Sequence, residues 1–386
     1  MIRTEAWIVD EGVNGSPTGA AALRLGELTI PDLADGEVLV EPLVGCWEAN
    51  MSHALDRKPI DVCKLRREQL AVLGNAGVVR VLRCGPRVKS VQPNDECIVF
   101  CNGEWDAEGY PIKIYAYDAP GSIGVLARKT KLHERQLIRI PEDSRHSLGQ
   151  WAAFSLRYIT AWANWRVALD CWKSHPPHVR DGAQPIVWGW GGGVAFAELS
   201  LATLEGAQAT LIASNSSRLD MIRDQGMTAL DRRAFSDLQF CADRYASDPE
   251  YRSRYLSAEQ TFLDLVRSST GGAGVSIFVD YIGAPVHRAT LKATSRTGVV
   301  TTAGWKEGMT LTTLRAVECM SWRIHVHTHY ARYRDGLDAV AFGEERGWMP
   351  DVDDTVWDWE DIPQLAEDYA HGRIPSYFPL FAVNPA

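Results

Sequence analysis

The stretch Pro185-Ile186-Val187-Trp188-Gly189-Trp190-Gly191-Gly192-Gly193-Val194-Ala195 constrains the fold more than any other. A short apolar run enters five positions that hold four glycines, and a helix-forming segment, Phe196–Leu204, follows. Small residues at such a turn let the backbone approach a pyrophosphate, whose charge the amides of the helix N-terminus then face. Glycine clusters also make ordinary turns. Context favours the dinucleotide loop: a second apolar run, Ala209–Ala213, lies where a βαβ unit places its next strand. On this reading Gly189, Trp190, Gly191, Gly192, Gly193 and Val194 bind the cofactor.

A chain of 386 residues suggests two domains. With 46% hydrophobic and 23% charged residues it has material for real cores and the surface of a soluble globule. Its net charge of −9 argues against nucleic acid or a membrane surface as partner. No stretch is long and apolar enough to span a bilayer, and Met1-Ile2-Arg3-Thr4-Glu5-Ala6-Trp7 lacks a secretory h-region. Eight scattered cysteines form no disulfide framework, which points to a reducing cytoplasm.

Residues 1–150 read as β-rich. Ala6–Val9, Leu23–Leu28, Glu37–Val44, Gly77–Cys84, Glu96–Cys101, Gly121–Ala127 and Lys131–Ile140 are strand-like runs between Gly, Pro, Asn and Asp turns. The period then changes. Gln150–Leu169 reads as helix, and across 151–325 strands alternate with helices: Ile186–Trp188, Phe196–Leu204, Ala209–Ala213, Ser217–Gln225, Val275–Asp280, His287–Ala293 and Gly298–Ala303. That alternation implies a parallel sheet with helices on both faces. Asp231–Leu263 is polar and either helical or inserted. In the last part, Trp322–His329 reads as a strand, Tyr333–Arg346 and Pro363–His371 as helices, and residues 326–386 as a return to the first domain.

Several motifs resemble one family as an ordered set. Asp35-Gly36-Glu37-Val38-Leu39-Val40, Gly77-Val78-Val79 with Cys84-Gly85-Pro86-Arg87-Val88 and Asn94-Asp95, Thr160-Ala161-Trp162, and the glycine loop resemble the medium-chain dehydrogenase/reductase superfamily, zinc-free enoyl and quinone reductase type. The resemblance implies an α/β chain: a GroES-like β-rich catalytic domain and a doubly wound Rossmann nucleotide-binding domain. A weaker similarity, to crotonyl-CoA carboxylase/reductases, is carried by Ile114-Tyr115-Ala116-Tyr117-Asp118-Ala119-Pro120-Gly121-Ser122, Val187-Trp188-Gly189 and His327-Thr328-His329-Tyr330-Ala331. Those enzymes reduce an unsaturated thioester with NADPH and trap the enolate with carbon dioxide. Their carbon-dioxide pocket matches Glu48, Tyr117, Asp118 and His329 here, with Glu48 in place of an Asn. The added carboxylate would repel bicarbonate-like charge, which favours plain reduction.

The resemblance also bears on metal. Cys46 stands near the first catalytic-zinc position of zinc-dependent members, but Leu73-Gly74-Asn75-Ala76 lacks the His and Glu of their motif, and only Cys97 and Cys101 occur where a structural zinc lobe needs four cysteines. No metal is expected. His325, His327 and His329 would share one face of a strand and could meet at a metal, though a polar strand face is the simpler reading.

NAD sites place an acidic residue after the second strand, whereas Leu211-Ile212-Ala213-Ser214-Asn215-Ser216-Ser217-Arg218 has none. Ser214, Asn215 and Arg218 are donors suited to a 2′-phosphate, so NADPH is the expected cofactor. The alternative is that Ser216 or Ser217 caps the next helix and Arg218 is solvated. Tyr281, Ala303 and Gly304 follow later strands and border the crevice, and Thr160 either places the nicotinamide ribose or starts a helix turn. Without zinc, an enolate needs a side-chain or amide donor. Tyr117 is that donor or a packed aromatic, Asp118 orients a neighbour or serves a turn, and Glu48 is a general acid/base or a surface carboxylate. Trp47, Trp162 and Trp305 are candidate pocket walls.

The expected function is NADPH-dependent, zinc-independent reduction of an activated C=C bond in an enoyl thioester or quinone-like small molecule. The aromatic, acidic C-terminal part suggests a substrate of secondary metabolism. Alternatives are a carboxylating enoyl-thioester reductase and a non-catalytic NADPH-binding protein. Family members pair through an edge strand, which implies a homodimer.

Overall fold

The computed structural model describes residues 1–11, 22–175, 183–304, 310–313, 316, 320–328 and 330–385. The chain divides into two compact units, Met1–Thr160 with Tyr330–Ala386, and Ala161–His329.

The second unit is built on six parallel strands. They are β1 (Ile186–Trp190), β2 (Gln208–Ala213), β3 (Thr228–Asp231), β4 (Val275–Asp280), β5 (Thr294–Thr302) and β6 (His325–His327). Their order is β3-β2-β1-β4-β5-β6, with each neighbouring pair parallel. Parallel neighbours need crossovers. α1 (Leu148–Lys173) carries the chain into this unit, and α2 (Gly193–Leu204), α3 (Ser216–Asp224), α4 (Pro249–Ser269) and α5 (Ala284–Ala293) follow the strands.

Alternation along the strands sorts the core into two layers. Trp188, Trp190, Phe278 and Val300 pack with Phe262 of α4 and with Val286 and Ala289 of α5. On the opposite face Gly189 lies so near α2 that a Cβ there would sit 3.1 Å from Leu199 Cδ1. Thr301 Oγ1 on that face is 3.2 Å from Asn164 Oδ1 of α1. Both faces are covered, which is why these strands read as continuous apolar runs. The order reverses between β1 and β4, so a crevice opens at their carboxyl ends.

The polar segment Asp231–Leu263 is helical rather than a separate insertion. It comprises the end of β3, a short turn over Arg232–Phe235, a helix over Ala242–Ser247 and most of α4. Asp248 fixes the start of α4 by accepting hydrogen bonds from the amides of Glu250 and Tyr251, with Pro249 in the first turn. Tyr255 and Phe262 then bury one side of an otherwise polar helix.

The first unit is mainly antiparallel. Its largest sheet runs Leu137–Arg139, Glu96–Val99, Gly77–Cys84, Glu37–Cys46, Leu380–Ala382, Val356–Trp357, and Thr130–His133 also pairs with Glu37–Cys46. Two expected strands differ. Lys131–Ile140 is split by a turn at Glu134–Gln136, where the Gln136 side chain accepts the His133 amide at 2.7 Å. Gly121–Ala127 forms only isolated bridges at Ile123 and Ala127. There the backbone at Gly124 runs against the Leu73 carbonyl, which a Cβ would strike. Two short helices, Ala49–Asp56 and Val62–Arg66, were not foreseen. Among the described residues no helix is long and apolar enough to cross a membrane.

Candidate active site

In the second unit the carboxyl ends of β1 and β4 are braced to each other. The Trp190 indole N–H donates to Thr290 Oγ1 at 3.1 Å, and that hydroxyl donates to Asp280 Oδ2 at 2.8 Å. Asp280 Oδ1 accepts the amides of Ile282 at 3.2 Å and Gly283 at 2.9 Å. Trp190 therefore turns its ring into the core and leaves only backbone at the crevice. Gly189 is a paired strand residue. Gly191 is the tight position: a Cβ there would lie 3.0 Å from Ala195 Cβ and 3.1 Å from Tyr281 Cβ. Gly192 caps α2, and a Cβ on it would meet nothing within 4 Å. Gly193 and Val194 open the helix, whose first turn carries no acidic side chain. The first amides of an α-helix lack intrahelical partners and sit at its positive end. Close backbone, open space and orphan donors together fit a pyrophosphate.

At the end of β2, Ser214 is exposed and Arg218 half-buried. The helix cap comes from Asn215, whose Oδ1 accepts the Arg218 amide at 3.2 Å, and from neither Ser216 nor Ser217. Tyr281 donates its amide to the Trp190 carbonyl at 3.1 Å and its phenol to Glu198. Ala303 is half-buried after β5, and Gly304 takes a left-handed φ of 73° with open space around it. Trp305 lies outside the described residues.

In the first unit, Glu48 follows the strand Glu37–Cys46 and precedes the helix Ala49–Asp56. It is a buried carboxylate, not a surface one. Glu48 Oε2 lies 3.1 Å from Arg157 Nε, with the side chains 5% and 4% exposed respectively. Arg157 also donates to Cys46 Sγ at 3.0 Å and to the Trp47 carbonyl at 2.6 Å. Glu48 Oε1 is buried with no hydrogen-bond partner among the described residues. Burial pushes this carboxyl up to about 7 against the opposing pull of Arg157. Burial likewise pushes the Cys46 and Cys101 thiols up to about 12, with the charge of Glu48 adding to both. Both remain thiols at neutral pH.

The other first-unit residues fall as follows. Tyr117 is buried, 2% exposed. Asp118 is a turn residue: its Oδ1 accepts the Ile114 amide at 2.5 Å. Tyr330 has its phenol raised by burial, with Cys101 and Asp118 adding to the effect. Trp47 is fully buried, its indole donating to Ser52 Oγ at 3.0 Å. Thr160 sits in the middle of α1 and starts no turn. His329 lies outside the described residues. Of its neighbours, His325 Nε2 is 3.1 Å from His175 Nε2. Among the described residues no group of three or more His, Cys, Asp or Glu side chains is disposed to hold a metal.

Arg157 and Glu198 escaped the sequence reading. Each is the one charge in an apolar stretch of its helix, Phe154-Ser155-Leu156-Arg157-Tyr158 and Phe196-Ala197-Glu198-Leu199. A charge that must enter a core needs a partner there, which is the signal that could have found them.

No family model matches the chain. It is 24% identical over 371 residues to a crotonyl-CoA reductase of Streptomyces avermitilis, covering 90% of this chain and 79% of the relative. It is 23% identical over 374 residues to a crotonyl-CoA carboxylase/reductase of Cereibacter sphaeroides, covering 93% and 82%. Among solved structures, the crotonyl-CoA carboxylase/reductase AntE in complex with NADP superposes with a TM-score of 0.81 at 20% identity, over 100% of this chain and 95% of that one. The 2-octenoyl-CoA carboxylase reductase CinF, in complex with NADP and 2-octenoyl-CoA, gives 0.79 at 19% identity, over 98% and 87%. A thermostable alcohol dehydrogenase from Pyrobaculum aerophilum gives 0.72 at 16% identity, over 99% and 100%. The chain has the fold of the medium-chain dehydrogenase/reductase superfamily, and crotonyl-CoA reductases are among its relatives in sequence.

Proposed function

We propose that the protein is an NADPH-dependent reductase of an activated C=C bond, with an enoyl thioester as substrate. One observation carries this reading: at the reversal point of a parallel sheet, Gly191 and Gly192 bring bare backbone and open space up to the start of α2, which suits an anion. The likeness to crotonyl-CoA reductases supports the substrate class.

NADPH would supply the hydride when bound. Gly191, Gly192 and the first amides of α2 would hold its pyrophosphate, and Ser214 and Arg218 would hold its 2′-phosphate. Asn215 contributes by capping α3. Glu48 supplies the proton that quenches the developing enolate. A carboxyl held near 7 is part protonated at neutral pH, the range in which a general acid works best. Arg157 keeps it in place. Tyr117 and His329 are further donors in this reading, and no metal takes part. The first unit is the GroES-like domain, and a second copy pairs along β6 at the sheet edge.

A titration of NADPH and NADH by tryptophan quenching, then loss of nicotinamide absorbance with crotonyl-CoA, octenoyl-CoA and a quinone, tests the reading. NADPH binding and thioester-dependent oxidation are expected. Binding without oxidation of any acceptor would leave a nucleotide-binding protein instead. A carboxylating reductase is the second reading, favoured by the similarity to a carboxylase/reductase, and would add the mass of carbon dioxide to the product when bicarbonate is present.

A further inference from the structure

Glu198 is fully buried on α2, one turn beyond the glycine loop. Its Oε2 accepts the Tyr281 phenol, while its Oε1 is buried with no partner among the described residues. The Tyr281 phenol also reaches Thr301, and Thr301 Oγ1 is 3.2 Å from Asn164 Oδ1. One polar chain thus links α2, the end of β4, β5 and α1 on a single face of the sheet. Its Tyr281 end touches the loop directly, since the site of a Gly191 Cβ is 3.1 Å from Tyr281 Cβ.

We propose that Glu198 is a positioning residue for the dinucleotide crevice: through its hydrogen bond to the phenol it holds Tyr281 against Gly191. The proposal rests on the dinucleotide reading above. A fully desolvated carboxyl is held neutral by burial, here up to about 8, with the Tyr281 hydrogen bond opposing. The surroundings give a carboxylate little help. β1 and β2 bear no titratable residue. Asp280 of β4 turns to the other face, toward Thr290 and His287. Arg166 of α1 is paired with Glu205. Thr301 and Asn164 are neutral, and the Tyr281 phenol is held well above its ordinary range by burial. A carboxyl in either protonation state accepts the phenol, so it is the hydrogen bond itself that holds Tyr281.

The test is NADPH affinity of the full chain at about pH 7, read by tryptophan quenching, for wild type, E198Q, E198A and Y281F. The E198Q amide oxygen still accepts the phenol, so its Kd stays within about twofold of wild type. E198A and Y281F each lose the hydrogen bond and bind about tenfold more weakly. Wild-type affinity in Y281F, or an E198Q loss equal to that of E198A, overturns the proposal while leaving dinucleotide binding intact. If E198A fails to fold, Y281F decides: wild-type affinity in that variant overturns it. No NADPH binding by wild type overturns the dinucleotide reading first, and this proposal with it.

Discussion

Arg157 Nε stands 3.1 Å from Glu48 Oε2, and both side chains are almost wholly shielded from water. The guanidinium is shared three ways, among the carboxylate, the Cys46 sulfur and the Trp47 carbonyl. It therefore only partly offsets the cost of burying Glu48, whose carboxyl stays near 7. A carboxyl in that state has a proton to give at neutral pH and regains it readily. If it is the general acid of the proposed reaction it acts in its protonated form, so kcat/KM should be flat below about pH 7 and fall about tenfold per unit above it. E48Q should lower kcat by about a hundredfold or more and remove that limb, as read from initial rates with an enoyl thioester between about pH 6 and pH 9. An E48Q enzyme with the wild-type limb would assign the proton to another group.

Removing the cation leaves the carboxyl buried without its partner. R157M should cost about 3–5 kcal/mol in urea unfolding, with the loss growing as pH rises and Glu48 ionises. The sign follows from Arg157 lowering the Glu48 carboxyl: without it the falling limb of the rate profile moves to higher pH. E48Q/R157M should recover part of the lost stability, because no unpaired charge remains. Equal stability of the single and double variants would show that the pair is not coupled.

These two residues also mark where sequence reading runs out. The glycine loop was legible because its requirement is local: small residues between a strand and a helix. The parallel sheet was legible because strands buried on both faces are apolar throughout. The Glu48–Arg157 pair joins residues 109 positions apart in sequence, and no local pattern encodes such a partner. Asp118 could be read either way from sequence for a related reason: the same residue type serves a turn or a site, and only the structure shows its Oδ1 accepting the Ile114 amide. Trp190 shows the period-2 rule at work, its backbone at the crevice and its ring in the core beside Phe262 and Phe278.

The two neighbouring glycines should separate crowding from ligand approach. A Cβ on Gly191 would press on Ala195 and Tyr281, so G191A should lose both stability and NADPH affinity. Gly192 has open space, so G192A should melt within a degree or two of wild type and still lose about tenfold or more in NADPH affinity. Thermal unfolding beside a fluorescence titration reads both. Unchanged NADPH affinity in G192A would place the pyrophosphate elsewhere.

Arg218 bears on the choice of cofactor. Its amide is committed to the Asn215 cap, but that bond survives any change of side chain. If its guanidinium pairs with the 2′-phosphate, R218A should weaken NADPH by about tenfold or more, the size of one charge-assisted hydrogen bond, and leave NADH unchanged. The loss should shrink as salt is raised, since the arginine is only half-buried and its field is screened. An R218A variant that loses both cofactors equally would mean that the residue supports the fold of the β2–α3 corner and takes no part in reading the phosphate. The discrimination would then have to come from Ser214 and its neighbours.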